Sequence, residues 1–235
     1  MFKKPSSRLM VLLVVVAALS QLSCQRIFST SLAPFLARDG YSIPSDLSVE
    51  DAAYLLALDP SNTELAAALV IPLYNAADAA TGTAAYDEAA GLLADAVIQA
   101  SGIEPAIMSA VATIPLDGTA TQEDLETVMA IFASVDLNAN EIAALTLLES
   151  NPPSDITAEQ SYAIAVVLLL EIANNIPGLD LSDPQSLFDN QAAISADPLY
   201  SMVTTFVTLG SSLGSTSTIG GLLADAIDAI DNPTP

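Results

Sequence analysis

Histidine is absent from the chain, and lysine does not occur after Lys4. Without these residues there is no Ser-His or Cys-His pair to activate a nucleophile, no Schiff base and no Ser-Lys dyad. The single cysteine, Cys24, excludes both an intramolecular disulfide and a zinc site built from cysteine and histidine. The glycines of residues 210–221 lack the lysine that a phosphate-binding loop needs. The sequence therefore predicts a protein that is not an enzyme and has no cofactor; a metal-dependent carboxylate enzyme remains an alternative.

Positive charge is scarce and confined to the first part of the chain. The five basic residues are Lys3, Lys4, Arg8, Arg26 and Arg38, whereas all 28 acidic residues follow Arg38. Nucleic acids and anionic lipid head groups are excluded as direct partners, because phosphate binding requires lysine or arginine. Cations and basic protein surfaces remain as partners, and the alternative is that the acidic residues only keep an apolar, exported protein soluble.

Aromatic residues make up only 5% of the chain, although hydrophobic residues reach 52%. Alanine and leucine supply most of this apolar content, and they favour helix-on-helix packing over the β-branched and aromatic surfaces of sheets. No stretch alternates between apolar and polar residues as an amphipathic strand does. The predicted fold class is all-α, with a substantial buried core.

Residues 1–23 have the three parts of an export signal. Lys3, Lys4 and Arg8 form a basic start, and residues 9–19 form an apolar run that is too short to span a bilayer about 30 Å thick. Ser20-Gln21-Leu22-Ser23 then leads to Cys24. This arrangement resembles the bacterial lipoprotein signal, with Ser23 as the small residue before the cysteine and Gln21 at a position where the pattern prefers an aliphatic residue.

The resemblance implies cleavage between Ser23 and Cys24, lipidation of Cys24 and attachment to a membrane of the bacterial cell envelope, facing the periplasm or the exterior. The competing cleavage follows Ala18-Leu19-Ser20, which fits the ordinary signal peptidase. In that case the protein is secreted and Cys24 is a free thiol. Stable anchoring of the lipidated form requires more than one acyl chain.

Four regions follow from the patterns along the chain. Residues 1–23 are the signal peptide, 24–47 a lipid-anchored tether, 48–231 an all-helical domain and 232–235 a disordered tail. Residues that favour helix N-termini occur at Ser48, Asn62, Asn138 and Thr157. We expect Pro72 to kink or break the helix that follows Asn62. The apolar run of residues 163–170 is too short for a membrane span and predicts a fully buried central helix.

A weak repeat of about 35–38 residues relates several predicted helix starts. A serine or threonine is followed two residues later by an acid at Ser48, Thr121, Thr157 and Ser195, and residues 83–88 show a looser version. Tyr86-Asp-Glu-Ala-Ala90 also resembles the second helix of a tetratricopeptide repeat, although the full signature is missing. The sequence thus predicts about nine to ten helices in either a helix-hairpin bundle or a short α-solenoid.

One acidic loop resembles the start of a calcium-binding loop. Asp136, Asn138 and Asn140 place oxygen ligands at alternate positions, as an EF-hand does, but the glycine at the sixth position and the glutamate at the twelfth are missing. Helix capping by Asn138 or Asn140 is the favoured interpretation, and no metal site is predicted. A solvated turn is favoured in the same way for Asp180 and Asp183. Tyr54 is predicted to pack in the core, with partner binding as the alternative.

These patterns predict a non-catalytic, membrane-anchored helical lipoprotein that acts as a scaffold or accessory protein. Its membrane contact is the lipid on Cys24, and its further partner is another protein. The alternative is a carrier that holds a small apolar ligand between its helices.

Overall fold

The computed structural model describes residues 43–44, 47–113, 127, 130–179, 186, 189–214, 223–224, 227 and 230, and these residues contain no strand. Eight of its α-helices have defined bounds, and further helical residues occur outside them, for example at 130–132. The helices are α1 (Val49–Leu58), α2 (Thr63–Ala80), α3 (Ala85–Ala100), α4 (Ile103–Thr113), α5 (Ala139–Ser150), α6 (Ala158–Asn175), α7 (Gln191–Ala196) and α8 (Tyr200–Ser212). The all-α prediction is confirmed. The predicted signal peptide and the tail of residues 232–235 lie outside the described residues, as does almost all of the predicted tether.

Side-chain caps fix where four of these helices begin. Ser48 and Asn62 accept hydrogen bonds from the backbone amides of Asp51 and Leu65, at 3.1 and 3.0 Å. Asn138 and Thr157 form reciprocal capping boxes with Glu141 and Gln160, respectively. Each cap satisfies amide groups that have no partner inside the helix, so the sequence specifies these helix starts locally.

Helix α3 lies at the centre of the described helices and contacts α1, α2, α4, α5 and α6. Tyr86, Ala90, Leu93 and Val97 lie along one face of α3 and are buried. Helix α2 also reaches α5, and α6 pairs with α8. In a solenoid each repeat contacts only its neighbours. The central position of α3 is therefore that of a helix in a bundle.

Pro72 does not break the helix that contains it, although the sequence predicted a kink or a break there. Helix α2 runs without interruption through Pro72, although the ring removes one backbone amide donor. The neighbouring Leu69, Val70 and Leu73 are all buried in the core. Packing of this apolar face outweighs the local cost of the proline.

The predicted repeat fails at Ser195. This residue lies inside α7 and does not cap a helix. Asp197 is the residue that turns the chain toward α8, since its Oδ1 accepts a hydrogen bond from the backbone amide of Leu199 at 2.8 Å. The start at Thr121 lies outside the described residues, and the N-cap residue of α3 is Ala84, which offers no side-chain hydrogen bond. The pattern of a serine or threonine followed by an acid therefore indicates individual helix caps and not a structural repeat.

Helix α6 supplies much of the core but is not buried on every side. Ile164, Val167 and Leu168 are buried, whereas Val166 and Leu169 are only half-buried. The prediction of a fully buried helix is therefore wrong for the side of α6 that carries Val166 and Leu169. None of the helices in the described ranges combines the length and apolar composition that a membrane crossing requires.

Candidate functional site

A cavity of about 520 Å³ lies where several helix ends meet. It is bounded by the first turn of α2, the end of α3, the beginning of α4, the chain before α5 and the first turn of α5. Its polar lining includes Glu64, Ser101, Ser109, Asp136, Asn138 and Glu141. Three of these side chains are carboxylates, of which Glu64 is distant in sequence from Asp136 and Glu141.

The turn between α3 and α4 shapes one side of this cavity. Gly102 has a φ of +72°, which ends α3 in a left-handed conformation that glycine adopts without strain. The buried hydroxyl of Ser101 donates to the carbonyl of Ile98 at 2.8 Å and accepts from the amide of Ile103 at 3.3 Å. These bonds link the end of α3 to the beginning of α4.

Residues 135–138, which we call the wall loop, contribute to another side of the cavity. Two buried glutamates bind backbone amides of this loop. Glu171 of α6 accepts a hydrogen bond from the amide of Leu137 at 3.1 Å, and Glu141 of α5 accepts one from the amide of Asn138 at 2.7 Å. Their exposed fractions are only 6% and 2%. Consecutive amides of the wall loop are therefore bound by carboxylates from two different helices.

Amide side chains of α6 complete this arrangement. Asn174 donates to the carbonyl of Val135 at 2.9 Å, and Asn175 donates to the second carboxylate oxygen of Glu171 at 2.8 Å. A hydrogen bond to an ionised acceptor is stronger than one between neutral groups. The end of α6 thus fixes both the wall loop and the carboxylate that binds it.

Burial raises the pKa of Glu141, and the negative charges of Asp136 and Glu171 raise it further. The hydrogen bonds from Asn138 oppose this shift, because they favour the ionised form. No basic residue follows Arg38, so the described residues contain no positive side chain to offset these charges. The cavity is consequently an acidic site with no positive side chain among the described residues to balance it.

The residues of the calcium-like pattern have other roles in this wall. The Oδ1 atom of Asn138 accepts from the amides of Asn140 and Glu141, at 2.8 and 3.2 Å, which is the predicted helix cap. Asp136 and Asn140 are exposed. Within the described ranges, no group of three or more carboxylates and other strong ligands is placed to hold a metal ion.

A second polar contact joins α3 to the connection between α5 and α6. Asp87 accepts two hydrogen bonds from Ser154, and Tyr86 donates its hydroxyl hydrogen to the carbonyl of Asn151. Gln160 donates to Asp95 at 2.8 Å. These contacts orient α5 and α6 against the central helix, and so position Glu141 and Glu171.

Tyr54 is 66% exposed, so the prediction that it packs in the core is wrong. The buried residues of α1 are Ala52 and Leu56. Tyr54 is two residues from each, which places it about 200° around the helix, because successive residues turn by about 100°. The opposite side of α1 therefore presents an aromatic side chain to solvent.

Several predicted site residues lie outside the described residues. They include Ser23 and Cys24 of the lipoprotein signal, as well as Asp180 and Asp183. Sequence reasoning did not identify Glu171 as a site residue. A signal for it does exist: Glu171 follows Ile164 and Leu168 by seven and three positions, so it falls on their buried stripe.

No protein-family model matches the chain, and no significant match was found among the curated proteins or the solved structures.

Proposed function

We propose that the chain is an exported lipoprotein, anchored to the bacterial cell envelope through Cys24, whose helical domain is a non-catalytic binding protein for a partner with a basic surface. The observation that carries the binding role is the acidic cavity of Glu64, Asp136 and Glu141, in a chain with no basic residue after Arg38. A basic partner would neutralise charges that the domain itself does not balance.

An exposed aromatic side chain on α1 also supports a role in binding another protein. Tyr54 is the most exposed of the large hydrophobic side chains in the described part of the chain. Tyrosine offers a large apolar contact area together with a hydroxyl group, and it is enriched at protein interfaces. The acidic first turn of α1, with Glu50 and Asp51, places negative charge on the same helix.

Non-catalytic action is supported by the missing histidine and by the absence of lysine after Lys4. The cavity is lined in part by carboxylates and hydroxyls, and an apolar ligand there would have to remove water from these groups without replacing it. The cavity therefore favours a cationic partner over the apolar ligand of the alternative hypothesis, which stays a prediction.

Mass spectrometry of the protein purified from a bacterium that makes it tests the anchor. We expect a mature chain that begins at Cys24 and carries acyl mass, and we expect Cys24→Ser to release the protein from the membrane fraction. An unacylated chain beginning at Gln21 would contradict the anchor and indicate secretion.

Cross-linking in intact cells, followed by identification of the attached proteins, tests the binding role. The test variant combines Glu64→Gln with Asp136→Asn, and the control combines Glu88→Gln with Glu159→Gln at exposed positions outside the cavity. We expect the test variant to lose a basic partner that the control retains. Equal retention by both variants, or a partner without a basic surface, would contradict the proposal.

A further inference from the structure

Two capping boxes in this chain share the same reciprocal hydrogen bonds but differ in the residue at the third helical position, which is Glu141 in α5 and Gln160 in α6. In the box of α6, the amide of Thr157 donates to the side chain of Gln160 at 2.9 Å. In the box of α5, the amide of Asn138 donates to the side chain of Glu141 at 2.7 Å. Glutamine is neutral at every pH, whereas glutamate ionises, so only the box of α5 can respond to protons.

The surroundings of Glu141 make ionisation unfavourable. Its side chain is buried, Asp136 lies in the adjacent wall loop, Glu171 binds that loop from α6, and Glu64 of α2 lines the same cavity. All of these titratable neighbours are acids, and no basic residue occurs after Arg38. A carboxylate buried among like charges favours its neutral form.

We propose that Glu141 is a proton-sensitive latch on the wall loop, which holds the loop closed against α5 and α6 when it is protonated and lets it open more readily when it is ionised. A protonated carboxyl group retains an oxygen that can accept the Asn138 amide hydrogen, so closure does not require the charge. Opening the loop exposes Glu141 to water, where the ionised form is solvated. The latch concerns the loop itself and does not depend on the partner proposed above.

The direction of the effect follows from linkage between proton binding and closure. Because the pKa of Glu141 is raised in the closed structure, closure is most favourable below the ordinary glutamate pKa. It weakens as the pH rises from the ordinary pKa through the raised one, and it is constant above that. Each unit of difference between the two pKa values changes the closing equilibrium by about tenfold.

Hydrogen exchange of the Leu137 and Asn138 amides, measured by NMR on the full chain in a non-ionic detergent, tests the latch. Protection factors, which are corrected for the intrinsic pH dependence of exchange, are compared at pH 4 and pH 7.5 with a chelator present. We expect protection of both amides to fall severalfold at the higher pH in the wild type. In Glu141→Gln, which gives α5 the type of box that α6 already has, we expect protection that does not change with pH.

Glu159→Gln is the control, because it removes an exposed carboxylate from the first turn of α6 and should preserve the wild-type pH dependence. Wild-type protection that is the same at both pH values would overturn the latch, as would a pH dependence that persists in Glu141→Gln. If Glu141→Gln does not fold, the ¹³C chemical shift of the Glu141 carboxyl carbon in the wild type gives a second test. A titration midpoint above the ordinary glutamate range supports the latch, and a midpoint within or below that range overturns it.

Discussion

Asp87 and Ser154 are 67 positions apart in the chain, yet they are joined by two hydrogen bonds. The amide of Ser154 donates to one carboxylate oxygen at 2.8 Å, and its hydroxyl donates to the other at 2.6 Å. Both bonds favour the ionised carboxylate and lower the pKa of Asp87. The pair therefore connects the central helix to the α5–α6 connection by means of an ionised group.

Replacement of Asp87 by asparagine should destabilise the protein and alter its acid response. The stabilisation by an acid whose pKa is lowered is complete above its ordinary pKa, here 3.8, and is lost as the pH falls through the lowered value. Urea unfolding should thus show a constant deficit for Asp87→Asn from pH 7 to about pH 5, and a shrinking deficit in stronger acid.

Two further variants make this test specific. Ser154→Ala keeps the amide donor and removes only the hydroxyl, so its deficit should be smaller than that of Asp87→Asn. Glu88→Gln alters an exposed acid on the same helix and should leave the stability close to that of the wild type. A deficit of Asp87→Asn that is the same at pH 3 and pH 7 would show that the hydrogen-bonded charge is not its cause.

Gly210 allows α8 to approach α6 closely. A Cβ atom at this position would lie 2.6 Å from Cε1 of the buried Tyr162 ring, a distance that requires the ring or the helix to move. We expect Gly210→Ala to destabilise the protein by about 1–3 kcal/mol in chemical unfolding, as overpacking does in other cores.

Gly91→Ala is the matched control, because this glycine also lies inside a helix. A Cβ atom there would meet only the Asp155 side chain, at an ordinary 3.5 Å. Removing a glycine from a helix stabilises it by up to about 1 kcal/mol, so Gly91→Ala should be neutral or stabilising. If both variants were equally stable, close packing of Gly210 on Tyr162 would have no energetic role.

Asn138 should act as a helix cap and not as a calcium ligand. Asn138→Ala removes the acceptor for the Asn140 and Glu141 amides, and we expect it to cost about 1 kcal/mol of stability. Thr157→Ala should have a similar effect at α6, where Thr157 accepts from the Gln160 amide.

Thermal unfolding of the wild type should not change when millimolar calcium or a chelator is added. A calcium-dependent increase in Tm that is lost in Asn138→Ala would instead support a metal site at this loop.

The features that the sequence predicted correctly are local. The caps at Ser48, Asn62, Asn138 and Thr157 could be identified because the residues that form each cap are within four positions of each other. The cap expected at Ser195 failed because this residue lies inside α7, where its hydroxyl donates to the carbonyl of Ala192. The acceptor for the Leu199 amide is Asp197 instead. Local patterns thus identify helix starts but do not decide between neighbouring polar residues.

The candidate site depends instead on contacts between distant residues. Glu171 and Leu137 are 34 positions apart, and the side chains that line the cavity come from α2, α4 and α5 as well as from the chain before α5. Helical periodicity can place Glu171 on a buried stripe, but it does not reveal which amide the carboxylate binds. The error at Tyr54 has a similar origin, because only the packing of α1 decides which of its sides is covered.

Salt should stabilise this protein in proportion to the screening of its charge. All 28 acidic side chains follow Arg38, and no basic residue lies among them, so the charges on the described helices mainly repel one another. The screening length falls from about 10 Å at 0.1 M salt to about 3 Å at 1 M, which weakens this repulsion. We expect the Tm in sodium chloride at pH 7 to rise steadily over this range.

At pH 4, where many of the carboxylates are protonated, the rise should be smaller. Salt also strengthens apolar burial, and that contribution persists when the carboxylates are neutral. An equal rise at both pH values would therefore assign the effect to apolar burial, and a Tm that falls with salt would show that favourable charge interactions dominate the fold.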